Sequence, residues 1–257
     1  MKSFRTVRRD ITRPFALLTN TQFLHALPPT LTSVRYAEDF NEVKRVGRNT
    51  AGPADRTDDQ TKQAQLWAGV ISSTSLNAIW NNVARDTARS KGLDLVDTAR
   101  VFALLDVSMN DSILTSHSSK FIYGLWRPVT AIRRAAEDLN DLTEADPTWS
   151  SLIATPPYPS YGGNMACVGA GAATALALAF GTDDVPLTVV WKGTVMPPNP
   201  DVTKEFPGFW ALAVDEADSR IYAGIHYRFD NEESQIVCPK ISHFAFDNYM
   251  QPKDNDR

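Results

Sequence analysis

The chain has 257 residues, 43% of them hydrophobic and 22% charged, with a formal net charge of -4. Such a composition excludes low-complexity disorder, and the slight acidity excludes a basic nucleic-acid footprint. No apolar run approaches the roughly 18 residues that a membrane-spanning helix needs.

Residues 1 to 57 read as an extended arm. Pro14, Pro28, Pro29, Gly52 and Pro53 punctuate it and its apolar residues show no clear period. The basic start, Met1 to Asp10, lacks the apolar stretch of a secretory signal, and Pro14 interrupts any amphipathic transit helix. Two cysteines, Cys167 and Cys238, are too few for a disulfide framework and suit a reducing compartment, so a cytoplasmic location is expected.

Residues 58 to 257 form the second unit, and helical spacing dominates it. Leu66, Trp67 and Val70 follow an aspartate-rich start, and Leu76, Ile79, Trp80 and Val83 mark a second helix that Gly92 ends. Leu95, Ala99, Phe102, Leu105, Met109 and Ile113 give one face of a long third helix. Continued, that helix would place Lys120 and Arg127 on one stripe, since seven residues are close to two turns. A short helix after Pro128 reaches about Leu139. A proline-rich loop leads to a small-residue helix from Asn164 to Phe180, whose composition suits a tightly packed central position. Residues 185 to 207 read as a further loop, and helices from Phe209 to about Tyr222 and from Asn231 to Tyr249 complete the chain. With no alternating strand and no internal repeat, the fold class is all-α, a helical bundle.

Three stretches carry chemistry. Lys120 to Pro128 and Ser219 to Asp230 supply three cations, Lys120, Arg127 and Arg220. An arginine fork bonds two oxygens of a tetrahedral anion and keeps its charge, and lysine adds a point charge. Singly, each is also what a solvated surface offers. Tyr161-Gly162-Gly163-Asn164 opens a helix, where glycine amides and the helix start can cradle an anion, or simply cap the helix. His226 precedes Asp230 by four residues; a carboxylate there fixes one ring nitrogen and frees the other. Arg220 and His226 are six apart, about 240° on an ideal helix. They can meet only where the helix breaks, and Gly224 stands between them.

In order, Lys120, Arg127-Pro128, the Pro159-Ser160 glycine turn, Ser219-Arg220, His226 and Asp230 resemble the superfamily of vanadium-dependent haloperoxidases and type-2 phosphatidic acid phosphatases. Residues 40–44, 104–111, 126–132, 146–149 and 224–229 resemble its bacterial haloperoxidase-like branch, and the similarity runs over roughly residues 12 to 253. The resemblance implies a helical bundle with the anion between helices. Lys120, Arg127 and Arg220 would bind vanadate, or phosphate in its place, with help from the amides of Gly163 and Asn164. His226 would be the axial ligand of vanadium or a phosphorylated nucleophile, oriented by Asp230. Peroxide, halide and a small organic molecule would be the substrates of a peroxidase.

Two departures stand out. The family turn ends Pro-Ser-Gly-His, whereas here the register gives Gly162-Gly163-Asn164-Met165, so both the serine hydroxyl and the acid–base histidine are missing. Proton transfer of that kind contributes about 10²–10⁴-fold, so turnover is expected to be weakened or diverted while anion binding survives. His117, three residues before Lys120, is the candidate for a displaced acid–base group; the plainer alternative is a histidine capping helix carbonyls. Longer family members also carry a further N-terminal helical region. The expectation here is a homodimer over the faces it would cover, or a fragment of a longer protein.

Overall fold

The computed structural model describes residues 12–52 and 55–251; the basic start, Met1 to Asp10, lies outside them. Among these residues eight α-helices dominate: α1 (Val34–Val46), α2 (Asp58–Trp67), α3 (Leu76–Ser90), α4 (Leu95–Tyr123), α5 (Pro128–Arg133), α6 (Asn164–Phe180), α7 (Phe209–Tyr222) and α8 (Arg228–Asn248). A hairpin, β1 (Leu187–Trp191) and β2 (Val202–Phe206), interrupts them. Among the described residues no helix is long and apolar enough to cross a membrane.

The small-residue helix α6 is the axis of the bundle and packs against α4, α7 and α8. Small side chains make this approach feasible. A Cβ at Gly171 would stand 2.4 Å from Ser112 Oγ on α4, and one at Gly169 would stand 2.7 Å from Glu216 Oε2 on α7. Glu216 fills that gap fully buried and accepts from Trp80 Nε1 at 2.9 Å, which joins α3, α6 and α7. Ile79, Trp80, Leu105, Leu176, Phe209 and Leu212 surround this point in the main core.

Four expectations need correction. The arm contains a helix, α1, with Ser33 as its cap and Tyr36, Phe40 and Val43 buried at helical spacing. Residues 185 to 207 hold an antiparallel hairpin, Leu187 opposite Phe206 and Trp191 opposite Val202. Burial along β1 alternates, but the outward residue Val190 is itself apolar and conceals the alternation. Lys120 and Arg127 do not share a helix. Gly124 ends α4 with φ +61°, and Arg127, extended before Pro128, caps α5. Finally, Cys167 on α6 and Cys238 on α8 are joined as a disulfide, both fully buried, with Cα atoms 5.3 Å apart.

One carboxylate anchors the start of the described arm. Asp111 of α4, fully buried, accepts the consecutive amides of Phe15, Ala16 and Leu17 at 2.8, 2.7 and 3.0 Å. Replacing Asp111 by Ala leaves those donors unmet and should cost about 3 kcal/mol. Limited proteolysis should then cut residues 12 to 32 earlier; an unchanged urea midpoint and cleavage pattern would contradict the anchoring role.

Burial raises the Glu216 carboxyl well above its ordinary 4.5, against the Trp80 hydrogen bond and the charge of Arg220. Folded Glu216 therefore holds its proton at pH values where the unfolded chain has lost it, so rising pH favours unfolding. Relative to Glu216→Gln, wild-type stability should fall by up to about 1.4 kcal/mol per pH unit above that value. Denaturation curves of both proteins between about pH 5 and about pH 7 check this; parallel stabilities would contradict it.

Candidate functional site

The site is assembled where four helix ends meet. Lys120 lies in the last turn of α4 and Arg127 caps α5. Arg220 lies in the last turn of α7, and Asp230 is the third residue of α8. His226 occupies the connection between α7 and α8. Helix α7 stops at Tyr222 and Gly224 turns the chain with φ +77°. Only glycine fits there: a Cβ would stand 2.2 Å from the carbonyl oxygen of Gly47, at the end of α1. Arg56 holds the same junction, donating to the carbonyls of Val46, Arg48 and Tyr222 at 2.5, 2.9 and 3.3 Å. The break at Gly224 brings Arg220 and His226 into one cluster, as the sequence required.

All five side chains are withdrawn from water: Lys120 and Asp230 are 0% exposed, His226 3%, Arg127 5% and Arg220 7%. Lys120 Nζ donates to the carbonyl of Ser160 at 2.5 Å and to that of Gly162. Arg127 donates from Nε to Tyr158 O at 2.8 Å and from Nη1 to Ile225 O at 2.7 Å and to His226 Nε2 at 2.9 Å. His226 Nδ1 lies 2.6 Å from Asp230 Oδ2, which also accepts from Ser160 Oγ at 2.5 Å. That assigns the ring proton to Nδ1 and the lone pair to Nε2. Tyr158 lies under the cations, its ring 4.9 Å from Arg127 Cζ and 5.7 Å from Lys120 Nζ.

Charge is the dominant feature. Burial pushes Lys120 well below 10.5, and the charge of Arg127 pushes the same way. Arg220 falls to about 10 through burial, despite Glu216. His226 lies well below 6.5 through burial and then the charges of Arg127, Lys120 and Arg220, so the ring is neutral. Burial raises Asp230 to about 6, against the charge of Lys120 and the Ser160 hydrogen bond. Three cations thus face Asp230 and a Glu216 that burial drives toward neutrality, and positive charge is in excess. Arg220 Nη1 is buried with no hydrogen-bond partner. An unmatched buried donor in a positive field fits an acceptor that is an anion.

The glycine turn contributes less than expected. Gly163 caps α6, but its amide, expected to face an anion, donates to the carbonyl of Asp230 at 3.1 Å. An amide has one hydrogen, so this donor is spent. Its missing side chain is needed for packing, since a Cβ would meet Asn231 Oδ1 at 2.8 Å. Asn164 begins α6; its side chain accepts from Ser116 Oγ at 2.7 Å and donates to Tyr158 OH at 3.3 Å. Met165 is half-buried and packs against the main core. His117 is 5% exposed, with Nδ1 2.9 Å from Ile113 O on its own helix and its ring 5.5 Å from that of Tyr158.

Four contributors were not read from the sequence. Glu216 was legible, one turn before Arg220 on the same helix. Ser160 lies in the motif itself and Tyr158 just before it, but neither carries a chemical signature until its partners are known. His25, lone within the irregular arm, offered no periodic signal, and its imidazole lies against Gly162.

Comparison with known proteins follows the same lines. Residues 100–255 match the family described as the VCPO second helical-bundle domain. Vanadium chloroperoxidase from Curvularia inaequalis is 26% identical over 92% of this chain and 48% of its own length. A bacterial vanadium-dependent iodoperoxidase superposes with a TM-score of 0.75 at 26% identity, over 91% of this chain and 55% of that one. A bacterial vanadium-dependent chloroperoxidase in its holo form shares the fold, with a TM-score of 0.70 at 14% identity over 93% of this chain and 53% of that one. The chain therefore spans about half the length of the relatives it matches. With the matched region taking in every residue of the buried cation cluster, the chain belongs to the vanadium haloperoxidase family.

Proposed function

We propose that this protein binds a tetrahedral oxyanion, vanadate or phosphate in its place, among Lys120, Arg127, Arg220 and His226. The observation that carries this is the buried, unpartnered Nη1 of Arg220 inside an uncompensated cluster of cations. Lys120 spends two of its three N–H groups on Ser160 and Gly162 and keeps the third for the anion. Arg127 Nη1, now on His226 Nε2, turns to an anion oxygen when Nε2 takes the anion. Asp230 holds the Nδ1 proton, so that Nε2 presents its lone pair without first losing a proton. The Asn164 amide at the start of α6 is a backbone donor the turn can offer, since Gly163 is committed to Asp230.

Bound vanadate supplies a Lewis-acidic centre that activates peroxide toward halide. Around it, this chain provides charge neutralisation and water exclusion but no proton carrier at position 165, because a thioether neither donates nor accepts a proton at working pH. Halide oxidation is accordingly weak, and His117 is the imidazole next in line, reaching the cluster through Tyr158. The same frame suits a phosphomonoester, with His226 Nε2 as nucleophile. The first step of that reaction rests mainly on positioning and charge and tolerates Met165 better.

Orthovanadate titration should give one site per chain, and Arg220→Ala should weaken it by at least about tenfold, the loss of a charge-assisted hydrogen bond. A folded Arg220→Ala protein with wild-type affinity, or a wild type that takes up no vanadate, would refute the site.

Met165→His should raise bromide oxidation in the presence of vanadate and peroxide by about 10²-fold or more. His117→Ala should remove the residual activity of the wild type. Release of phosphate from an aryl phosphate, inhibited by vanadate, would instead favour the phosphatase chemistry. Vanadate binding with neither activity, in wild type and Met165→His alike, would mark an anion-binding homologue without turnover.

A further inference from the structure

His25 belongs to none of the three chemical stretches, yet it touches the supports of the site on every side. It is 1% exposed and inserts between α4 and α8. Nδ1 lies 2.8 Å from the hydroxyl of Ser119, the residue before Lys120. Nε2 lies 3.1 Å from the hydroxyl of Ser234, one turn beyond Asp230. Ser234 in turn donates to the carbonyl of Asp230 at 2.7 Å, the same carbonyl that receives the Gly163 amide. The ring also lies flush against Gly162: a Cβ there would stand 2.5 Å from Nε2 and 2.6 Å from Cδ2. The carbonyl of Gly162 is one of the two that hold the Lys120 ammonium.

The backbone around His25 is clamped as well. Tyr123 OH donates to His25 O at 2.5 Å, Tyr161 OH donates to Ala26 O at 2.9 Å, and the Ala26 amide donates to Glu233 Oε1 at 3.0 Å. Burial and the nearby charge of Lys120 push the imidazole down to about 3, so it is neutral. A neutral ring has one donor and one acceptor. Ser234 keeps its proton on Asp230 O at 2.7 Å, so the ring proton sits on Nε2, and Ser119 then gives its one proton to Nδ1 at 2.8 Å in preference to the Thr115 carbonyl at 3.2 Å.

We propose that His25 is a positioning residue of the oxyanion site. It fixes the Gly162 and Asp230 carbonyls that hold Lys120 and the Gly163 amide, which makes the arm part of the site and not only a cover over the bundle. The effect on anion binding rests on the function proposed above; the effect on the turn does not.

The test compares wild type with His25→Ala, His25→Gln and His25→Phe in two measurements. Without anion, amide hydrogen exchange of residues 160 to 165 should accelerate at least about tenfold in His25→Ala, with α3 and the hairpin unchanged. Gln, which keeps one donor and one acceptor, should restore most of the protection. Orthovanadate affinity should fall by about tenfold or more in His25→Ala and return to within about threefold in His25→Gln. If the Ala variant does not fold, Phe keeps the ring outline without its nitrogens and should show the same two losses. Unchanged exchange at the turn, a uniform loss of protection with vanadate affinity intact, or a Gln variant no better than Ala would each overturn the proposal. A wild type that binds no vanadate would refute the oxyanion site, while the exchange data would still decide the role of His25.

Discussion

Everything in this structure is arranged around the desolvation of three like charges. Burying Lys120, Arg127 and Arg220 together is unfavourable, because each loses water and each repels the others. The protein offsets the cost with backbone carbonyls instead of carboxylates: Ser160 and Gly162 for Lys120, Tyr158 and Ile225 for Arg127. Carbonyl dipoles stabilise the cations without cancelling them. Asp230 is drawn into orienting His226, and Glu216 is bonded to Trp80 without closing an ion pair with Arg220 among the described residues. The field left over is what an oxyanion would neutralise.

Holding that arrangement requires support from elements far away in sequence. Helix α1 carries no site residue, yet it fixes the start of α8. Asp39 accepts the Phe229 amide at 2.7 Å, and Glu42 receives both nitrogens of the Arg228 fork at 2.8 and 2.6 Å. Its last turn ends at Gly47, which lies against the Gly224 turn before His226. The disulfide between Cys167 and Cys238 joins α6 and α8, the two helices whose first turns carry the glycine turn and Asp230.

How much of this could be read from sequence depends on whether the signal was local. Helix α6 was legible to the residue, because an unbroken small-residue run follows a glycine turn. The Gly224 break was legible because Arg220 and His226 could not otherwise meet. The path from Lys120 to Arg127 was misread as one helix although two warnings were present, Gly124 and a residue before proline. Helix α1 had its period and its serine cap, but the prolines on either side hid them. Pairings such as Asp111 with the arm, or His25 with Ser119 and Ser234, join residues about a hundred or more positions apart. No pattern in a single chain records them. The Gly163 amide shows the converse limit: the motif was recognisable, but only the fold reveals that its hydrogen is taken.

Met165 is therefore a more specific puzzle than a missing motif letter. The cations, the oriented imidazole and the exclusion of water are in place although position 165 carries no proton-transfer group, which is why binding is proposed to be separable from turnover. The most direct test of the central claim is a crystal structure grown with orthovanadate. Anomalous density for vanadium is expected at bonding distance from His226 Nε2, with oxygens reaching Lys120, Arg127 and the Nη1 of Arg220. Vanadate bound elsewhere on the protein, or a His226 that keeps its Arg127 contact under saturating vanadate, would contradict it.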